Sequence, residues 1–246
     1  MRAIILAAGR GSRMKSLTEQ KPKCLVEVHG KSLLDWQLDA LRMANIEDIS
    51  IVTGYRREML IRSGLKEFHN SRWAETNMVS SLECAKEWLQ EGPCIISYSD
   101  IFYHPTAIRS LVSSSEQLAV TYDPNWLDLW SKRFHDPLTD AESFRVRKKN
   151  ILAEIGKKPK SVDDVQGQYM GLLRITPKGW AEIDRIRKEL TLQQRDKMHM
   201  TGTLQMVIEA KRLTIHAVEY KGSWGEIDSE DDLKVHSATS NNLSDK

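Results

Sequence analysis

Short apolar runs alternate with amphipathic segments along this chain. Apolar runs predict buried strands at residues 3–8, 46–54, 93–103, 118–123 and 213–218. Apolar residues spaced three or four apart predict helices at 33–44, 55–65, 82–89, 177–190 and 201–210. Strands that alternate with helices are typical of an open parallel sheet. We therefore predict an α/β fold, Rossmann-like, with a mostly parallel central sheet flanked by helices.

The middle of the chain has a different pattern. Residues 144–156 alternate around a Lys-Asn pair, which predicts a β-hairpin, and the apolar run 166–175 contains two glycines. We expect a small β-rich lobe at about 124–176, embedded in a single domain that covers residues 1–236. Residues 237–246 are small and polar, and we predict that they form a flexible tail.

The first predicted strand runs directly into a glycine-containing basic loop. Gly9 and Gly11 let a ligand approach the backbone, so that several N–H groups can point at one anion. Arg13 offers a planar donor fork for phosphate oxygens, and Lys23 offers a compact positive charge. The alternative is an ordinary strand and turn with surface cations. The combination of glycines, Arg13 and Lys23 favours a nucleotide site.

Two common phosphate loops are excluded by the same stretch. The pattern Gly-x-x-x-x-Gly-Lys-Ser/Thr of P-loop proteins is absent from the chain. Met14 stands where the third glycine of a dinucleotide-binding loop belongs, which argues against NAD.

The stretch Leu-Ala-Ala-Gly-x-Gly-x-Arg-Met, followed by Lys21-Pro22-Lys23, resembles the signature of the sugar-phosphate nucleotidyltransferases. The resemblance implies transfer of a nucleoside monophosphate to a phosphorylated acceptor, with release of pyrophosphate. It also implies catalytic roles for Lys23 and Arg13. The nucleotide-binding residues that it implies here are Leu6, Ala7, Ala8, Gly9, Gly11, Ser12 and Arg13.

The nucleotide base has a candidate partner further along the chain. The stretch Thr76-Asn77-x-x-Ser80-Ser81-Leu82 resembles the corresponding part of the choline-phosphate cytidylyltransferase branch of the family. This resemblance implies CTP as the nucleotide and Asn77 and Ser81 as binding residues. The alternative is that Thr76 or Ser80 only caps a helix, and we expect this of Ser80.

Two aspartates are candidate ligands for Mg²⁺. Asp100 follows the apolar run 94–98, and the carboxyl ends of parallel strands are where such sheets bind ligands. Asp100 can instead cap a helix that starts near Pro105. The resemblance implies that Asp228, in Trp-x-x-Ile-Asp, is the second metal ligand, and that Glu226 makes outer contacts. We interpret the acidic residues 230–232 as the first turn of a helix.

The acceptor end of the site is less specific. Trp126 and Trp130 can cage a quaternary ammonium, with Asp128 beside an amine and Arg133 on a phosphate. Alternatively, the two tryptophans form one helix face that packs on the core. Tyr169 is a candidate for one wall of the acceptor pocket, and Glu226 is a further candidate contact. His199 is interpreted as structural.

Composition excludes several classes of protein. The 36 Lys and Arg residues nearly balance 34 Asp and Glu, so a broad surface for nucleic acid is not expected. No apolar run predicts a membrane span, and three cysteines without a Cys-x-x-Cys pair favour reduced thiols in the cytoplasm. A homo-oligomer is left open as a partner.

These observations predict a Mg²⁺-dependent transfer of CMP from CTP to a small phosphorylated or phosphonate acceptor. Phosphocholine-like compounds, aminoalkyl phosphonates and phospho-amino acids all fit, and products for cell-surface polysaccharide or lipid modification are implied. One alternative is a sugar-1-phosphate nucleotidyltransferase that uses UTP, dTTP, GTP or CTP. Another is a non-catalytic nucleotide-binding subunit, and a third is a glycosyltransferase. The first experiment would therefore vary both nucleotide and acceptor.

Overall fold

The strands of the fold form one large sheet and two small ribbons. The structure, a computed structural model, describes residues 1–238. In chain order the strands are β1 (Arg2–Ala7), β2 (Glu27–Val28), β3 (Lys31–Ser32), β4 (Ile49–Thr53), β5 (Lys66–His69), β6 (Cys94–Tyr98), β7 (Ile101–Tyr103), β8 (Leu118–Asp123), β9 (Phe144–Arg147), β10 (Ile151–Ile155), β11 (Gln168–Ile175), β12 (Ile215–Glu219) and β13 (Trp224–Glu226).

Several helices begin at residues whose side chains cap them. In chain order they are α1 (Leu33–Met43), α2 (Met78–Glu83), α3 (Lys86–Glu91), α4 (Pro105–Val112), α5 (Trp126–Arg133), α6 (Pro177–Lys188), α7 (Leu192–Asp196), α8 (Met200–Ala210) and α9 (Glu230–Ala238). Ser32 caps α1 by accepting from the Asp35 N–H, and Thr176 caps α6 in the same way, just before a proline. No helix within residues 1–238 is both long and apolar enough to cross a bilayer.

The central sheet has the strand order β5-β4-β1-β6-β11-β8-β12-β10-β9. The pairs formed by β4 with β5 and β1, by β1 with β6, and by β8 with β12 are parallel. Only β11 and β10, among the nine strands of this sheet in the described region, run against the rest. The sheet is therefore mostly parallel, as predicted. The carboxyl ends of β1, β4 and β6 share one edge.

Helices cover both faces of the sheet, which explains why its strands read as continuous apolar runs. Along β1 the side chains alternate between two cores. Ile4 and Leu6 pack with residues of α2, α3, α6 and α8, whereas Ala3, Ile5 and Ala7 pack with residues of α1, α4 and α5. The sheet is thus a rigid layer whose carboxyl edge is free to carry a site.

The predicted lobe is built into this sheet. The hairpin of β9 and β10 forms at the predicted place, turning through Lys149 and Asn150 with positive φ, and it extends the sheet at one edge. β11, also from 124–176, lies between β6 and β8. Of the predicted tail, Ser237 and Ala238 belong to α9, and residues 239–246 lie outside the described residues.

Two predicted elements are wrong. Residues 55–65 contain only a short 3₁₀ turn, Arg57–Met59, because Arg56 and Gly64 have positive φ and Leu60 is the one buried residue there. The run 93–103 is broken into β6 and β7. The break leaves Ser99 and Asp100 outside regular structure, and β7 pairs with β13 instead of continuing in the sheet.

Candidate active site

A cleft of about 300 Å³ opens at the carboxyl ends of β1 and β6. Parallel strands direct their unpaired carboxyl ends and the loops that follow toward such clefts. The residues that line it are Leu6, Ala8, Gly9, Gly11, Ser12, Arg13, Lys23, Trp73, Thr76, Asn77, Met78, Ser81, Tyr98, Ser99 and Asp100. The first half of the chain thus supplies all the residues of this cleft.

The glycine loop packs directly on Lys23. Gly11 has φ +71°, and a Cβ atom at this position would lie 2.8 Å from the Cβ of Lys23. A 3₁₀ helix, Ser12–Thr18, starts immediately after it, and the Thr18 hydroxyl donates to the Gly11 carbonyl at 2.9 Å. Only glycine combines this backbone conformation with such a close contact. At Gly9, by contrast, a Cβ atom would meet nothing within 4 Å, because this residue opens onto the cleft.

Lys23 is the charged centre of the site. Its side chain is nearly buried, and its Nζ donates to Asp100 Oδ2 at 2.8 Å and to Asp228 Oδ1. Burial disfavours the ammonium, but the charges of Asp100 and Asp228 outweigh burial and raise the pKa of Lys23. Arg13 reaches the other oxygen of Asp228 at 2.8 Å from an exposed position. Lys23 is therefore positively charged at any working pH.

Three acids meet at the mouth of the cleft. Oxygen atoms of Asp100, Glu226 and Asp228 lie within 4.8 Å of one another. Pairing of β13 with β7 brings them together, and the Ile227 N–H donates to the Asp100 carbonyl at 2.9 Å. Burial raises the pKa of Glu226 to about 7, with Asp228 adding to this and Arg133 opposing it. The C-terminal part of the chain thus completes a site that the N-terminal part begins.

The acid group fits a divalent cation. Asp100 Oδ1 is buried and has no hydrogen-bond partner among residues 1–238. Carboxylate oxygens grouped at this spacing are the ligands that Mg²⁺ prefers. Asp100 does not cap the following helix, since His104 accepts from the Thr106 N–H at the start of α4. The alternative structural role of Asp100 is therefore wrong.

The opposite wall of the cleft comes from the segment before α2. Asn77, not Ser80, caps α2, because its side chain accepts from the Met78 N–H at 2.7 Å. Asn77 nevertheless lines the cleft, so the capping and binding roles do not exclude each other. Ser81 also lines it and accepts from Asn70 at 3.0 Å. Trp73 stands beside them with its ring edge-on to Tyr55.

The structure brings the predicted nucleotide-binding residues together with one exception. Leu6, Ala8, Gly9, Gly11, Ser12, Arg13, Asn77 and Ser81 all line the cleft. Ala7 does not, because alternation along β1 points its side chain into the other core, with Ala3 and Ile5.

The predicted acceptor residues are scattered. Trp126 and Trp130 are 2% and 1% exposed, and their indole N–H groups donate to the Val165 carbonyl and to Asp140. They form the packed helix face of the alternative interpretation, so they form no cage. Asp128 is exposed on the outer side of α5.

Three further candidates for acceptor binding do not line an open pocket. They are Arg133, Glu226 and Tyr169. The Arg133 side chain is fully buried and bound to Glu226 and Asp232, which leaves no free donor face for an acceptor phosphate. Glu226 belongs to the acid group. The Tyr169 ring is buried edge-on against Tyr98, which itself lines the cleft. Tyr169 therefore supports the wall of the cleft from behind.

Residue-by-residue reasoning missed several cleft residues, above all Trp73 and Tyr98. Trp73 lies in the polar stretch from which Asn77 and Ser81 were predicted to bind nucleotide. A single tryptophan among polar residues was the signal that could have identified it. Tyr98 ends an apolar strand two residues before Asp100, where the strand's carboxyl end predicts a ligand contact.

Comparison with known proteins agrees with this geometry. The profile of the MobA-like NTP transferase domain matches residues 3–158. CTP:phosphoglutamine cytidylyltransferase from Campylobacter jejuni is 37% identical over 96% of this chain and 98% of the relative. 2-Aminoethylphosphonate cytidylyltransferase from Lancefieldella rimae is 36% identical over 42% of its own length and 40% of this chain.

A solved structure of CTP:phosphocholine cytidylyltransferase from Streptococcus pneumoniae has a TM-score of 0.73 at 22% identity, covering 96% of this chain and 97% of that one. At this identity the likeness shows a shared fold. The profile match and the full-length similarity establish more. The chain belongs to the MobA-like NTP transferase family, and it is a nucleotidyltransferase.

Proposed function

We propose that this enzyme transfers CMP from CTP to a small phosphorylated acceptor and releases pyrophosphate. The observation that carries the proposal is the convergence of Lys23 with Asp100 and Asp228 at the mouth of the glycine loop. A nucleotidyl transfer needs positive charge beside the attacked phosphate and a cation site next to it. The choice of CTP is supported by the full-length relative from Campylobacter jejuni.

The position of each residue supports the role that we propose for it. Backbone N–H groups at Gly9, Gly11 and Ser12 bind the triphosphate, and exposed Arg13 neutralises its outer phosphates. Lys23 contacts the α-phosphate that the acceptor attacks. The acceptor phosphate is already an anion near neutral pH, since its second pKa is about 6. No general base is needed, and positioning with charge stabilisation supplies the rate.

Mg²⁺ is proposed as the cofactor, held by Asp100 and Asp228 with Glu226 beside them. When bound there, it would supply positive charge that offsets the negative charge of the triphosphate and of the departing pyrophosphate. Lys23 shares both aspartates, so the chain keeps them close together and compensated before substrates arrive.

A phospho-amino acid or a related phosphorylated amide is the acceptor class we propose. The relative with this specificity matches nearly the whole chain, whereas the aminoethylphosphonate enzyme matches under half of it. Burial of Trp126 and Trp130 also removes the feature that favoured a quaternary ammonium.

We further propose a cytoplasmic location, supported by three cysteines that are all free thiols. The proposed product class would then serve modification of a cell-surface polysaccharide or lipid, in line with the resemblance to the cytidylyltransferase branch.

The test is pyrophosphate release with Mg²⁺ across a matrix of substrates. CTP, UTP, GTP, ATP and dTTP are each combined with phosphoglutamine, phosphocholine, 2-aminoethylphosphonate and sugar 1-phosphates. Release with CTP and phosphoglutamine at a kcat/KM at least tenfold above every other pair supports the proposal. Preference for UTP or dTTP with a sugar phosphate would replace it with the sugar-1-phosphate alternative. No release with any pair, together with tight CTP binding, would indicate a non-catalytic subunit.

A further inference from the structure

A buried amide lies directly behind Asp100. Gln37 is 0% exposed and belongs to α1, on a face that is otherwise apolar with Leu34, Leu38 and Leu41. Burying an amide costs free energy unless its hydrogen bonds are formed inside the protein. Gln37 must therefore form its hydrogen bonds with other buried groups of the protein.

All the partners of Gln37 come from the segment that carries Asp100. Its Nε2 donates to the Tyr98 carbonyl at 2.9 Å and to the Ile101 carbonyl at 2.6 Å. Its Oε1 accepts from the Ser97 hydroxyl at 2.9 Å, and the Tyr103 hydroxyl donates to the same Ser97 oxygen at 3.0 Å. Both N–H groups and the oxygen of the Gln37 amide are thus hydrogen-bonded, and all of these bonds are to residues outside α1.

The two carbonyls bracket the break between β6 and β7. Tyr98 is the last residue of β6 and Ile101 is the first of β7, so Ser99 and Asp100 connect the two strands. Gln37 binds the residue on each side of this connection. The two hydrogens of one amide nitrogen have a fixed angle between them, which sets the separation of the carbonyl oxygens they bind. A further hydrogen bond, from the Ile227 N–H to the Asp100 carbonyl, connects the same segment to the residue after β13.

The Asp100 side chain depends on this backbone support. Its Oδ1 has no hydrogen-bond partner among residues 1–238, and within these residues its Oδ2 accepts a hydrogen bond only from the buried Lys23 ammonium. The backbone of residues 98–101 therefore fixes the carboxylate together with Lys23. A displacement of about 1 Å at a reacting group can cost on the order of 100-fold in rate.

We propose that Gln37 is a positioning residue that sets the place of Asp100 in the acid group, and so the affinity of that group for a divalent cation. The inference rests on the proposed function for its effect on turnover, but not for its effect on cation binding. Among residues 1–238, Gln37 makes no hydrogen bond to the cleft wall formed by Trp73–Ser81, and it binds the cleft residue Tyr98 only through the backbone carbonyl, so CTP binding is not expected to depend on it.

The test compares Gln37→Met, which keeps the volume and removes both donors, with Leu38→Met at the adjacent buried position of α1. Gln37→Met is expected to lower kcat at least tenfold while KM for CTP stays within threefold. Binding of Mn²⁺ to the nucleotide-free protein, followed by electron paramagnetic resonance, is expected to weaken at least fivefold. Leu38→Met is expected to change each quantity by less than twofold.

Two outcomes overturn the proposal. One is Mn²⁺ affinity and kcat in Gln37→Met within twofold of the wild type. The other applies if Gln37→Met does not fold, in which case Ser97→Ala is tested, because it removes the hydrogen bond to Gln37 Oε1 and keeps the core apolar. We expect Ser97→Ala to weaken Mn²⁺ binding at least twofold. Unchanged Mn²⁺ binding in this variant rejects the proposal. Failure of the proposed function has a different result, since the wild type would bind Mn²⁺ but release no pyrophosphate from CTP.

Discussion

The carboxylate of Asp232 holds the backbone of Asp228. Its Oδ2 accepts from the Asp228 N–H at 2.9 Å, and it accepts equally from the Ser229 N–H at the start of α9. Arg133 binds the same carboxylate through Nε at 2.6 Å and reaches Glu226 at 3.0 Å. Two acids of the active site are thus anchored by an arginine from α5, which the chain places almost one hundred residues earlier.

Replacing Arg133 is expected to destabilise the protein. Arg133→Met leaves the buried Asp232 and the partly buried Glu226 without their cation, and breaking the buried pair with Asp232 costs about 3–5 kcal/mol. Urea unfolding measures the change in the free energy of unfolding. The adjacent exposed residue gives the control, Lys132→Met, which should stay within about 0.5 kcal/mol of the wild type. A loss below about 1 kcal/mol for Arg133→Met would contradict this role.

Gly54 is expected to be essential for the wall of the cleft that Trp73 forms. A Cβ atom here would lie 2.5 Å from the Trp73 Cβ and 2.6 Å from the Ala8 carbonyl oxygen. Gly54→Ala therefore pushes Trp73 away from the glycine loop, and the affinity for CTP should fall at least tenfold in a calorimetric titration. Gly92→Ala, where no atom lies within 4 Å of the new methyl group, should bind CTP as the wild type does. Equal affinities of the two variants would show that the contact is not needed.

Lys23 is expected to act in the chemical step. Lys23→Met removes the ammonium beside Asp100 and Asp228, and loss of one such stabilising charge costs about 3–4 kcal/mol, so kcat should fall by a factor of 100 or more. Steady-state pyrophosphate release measures it. Lys86→Met, an exposed lysine on α3, provides the comparison. A Lys23→Met enzyme within tenfold of the wild type would remove Lys23 from the mechanism.

His236 is expected to make the protein less stable in mild acid. Burial lowers its pKa to about 4, with the charge of Arg133 adding to the effect, whereas an unfolded histidine titrates near 6.5. Between these values the unfolded chain binds a proton that the folded chain does not. The free energy of unfolding therefore falls as the pH drops, by about 2 kcal/mol between pH 7 and pH 5.

Urea unfolding at the two pH values tests this expectation. His236→Gln should lose about 2 kcal/mol less than the wild type over the interval. His135→Gln, at an exposed position, should keep the wild-type dependence. If His236→Gln and the wild type lose equal stability, another group sets the acid limit.

Local patterns were sufficient for most of the fold and for the glycine loop. Helix α1 begins at the predicted residue, Leu33, and β8 has the predicted bounds, since each is coded by neighbouring residues. The helix predicted at residues 55–65 is wrong because Arg56 and Gly64 have positive φ angles, which the spacing of apolar residues does not reveal.

Side-chain direction was the other limit. Spacing of i, i+4 placed Trp126 and Trp130 on one helix face, but spacing alone did not decide between a cage for the acceptor and packing on the core. Their hydrogen-bond partners, Val165 and Asp140, lie elsewhere in the chain. Gln37 was hidden for the same reason, because its three partners are about sixty residues away.

The pairing of β13 with β7 also sets the order in which the enzyme becomes competent during synthesis. The cleft is lined by residues 6–100, but β1 packs against α6 and α8, so the cleft can assemble only after residue 210 has been made. The acid group is incomplete until Glu226 and Asp228 have left the ribosome and β13 has docked. We therefore expect a chain truncated before β13 to bind nucleotide without transferring it. Nucleotide binding and catalysis thus depend on parts of the chain that are made at different times.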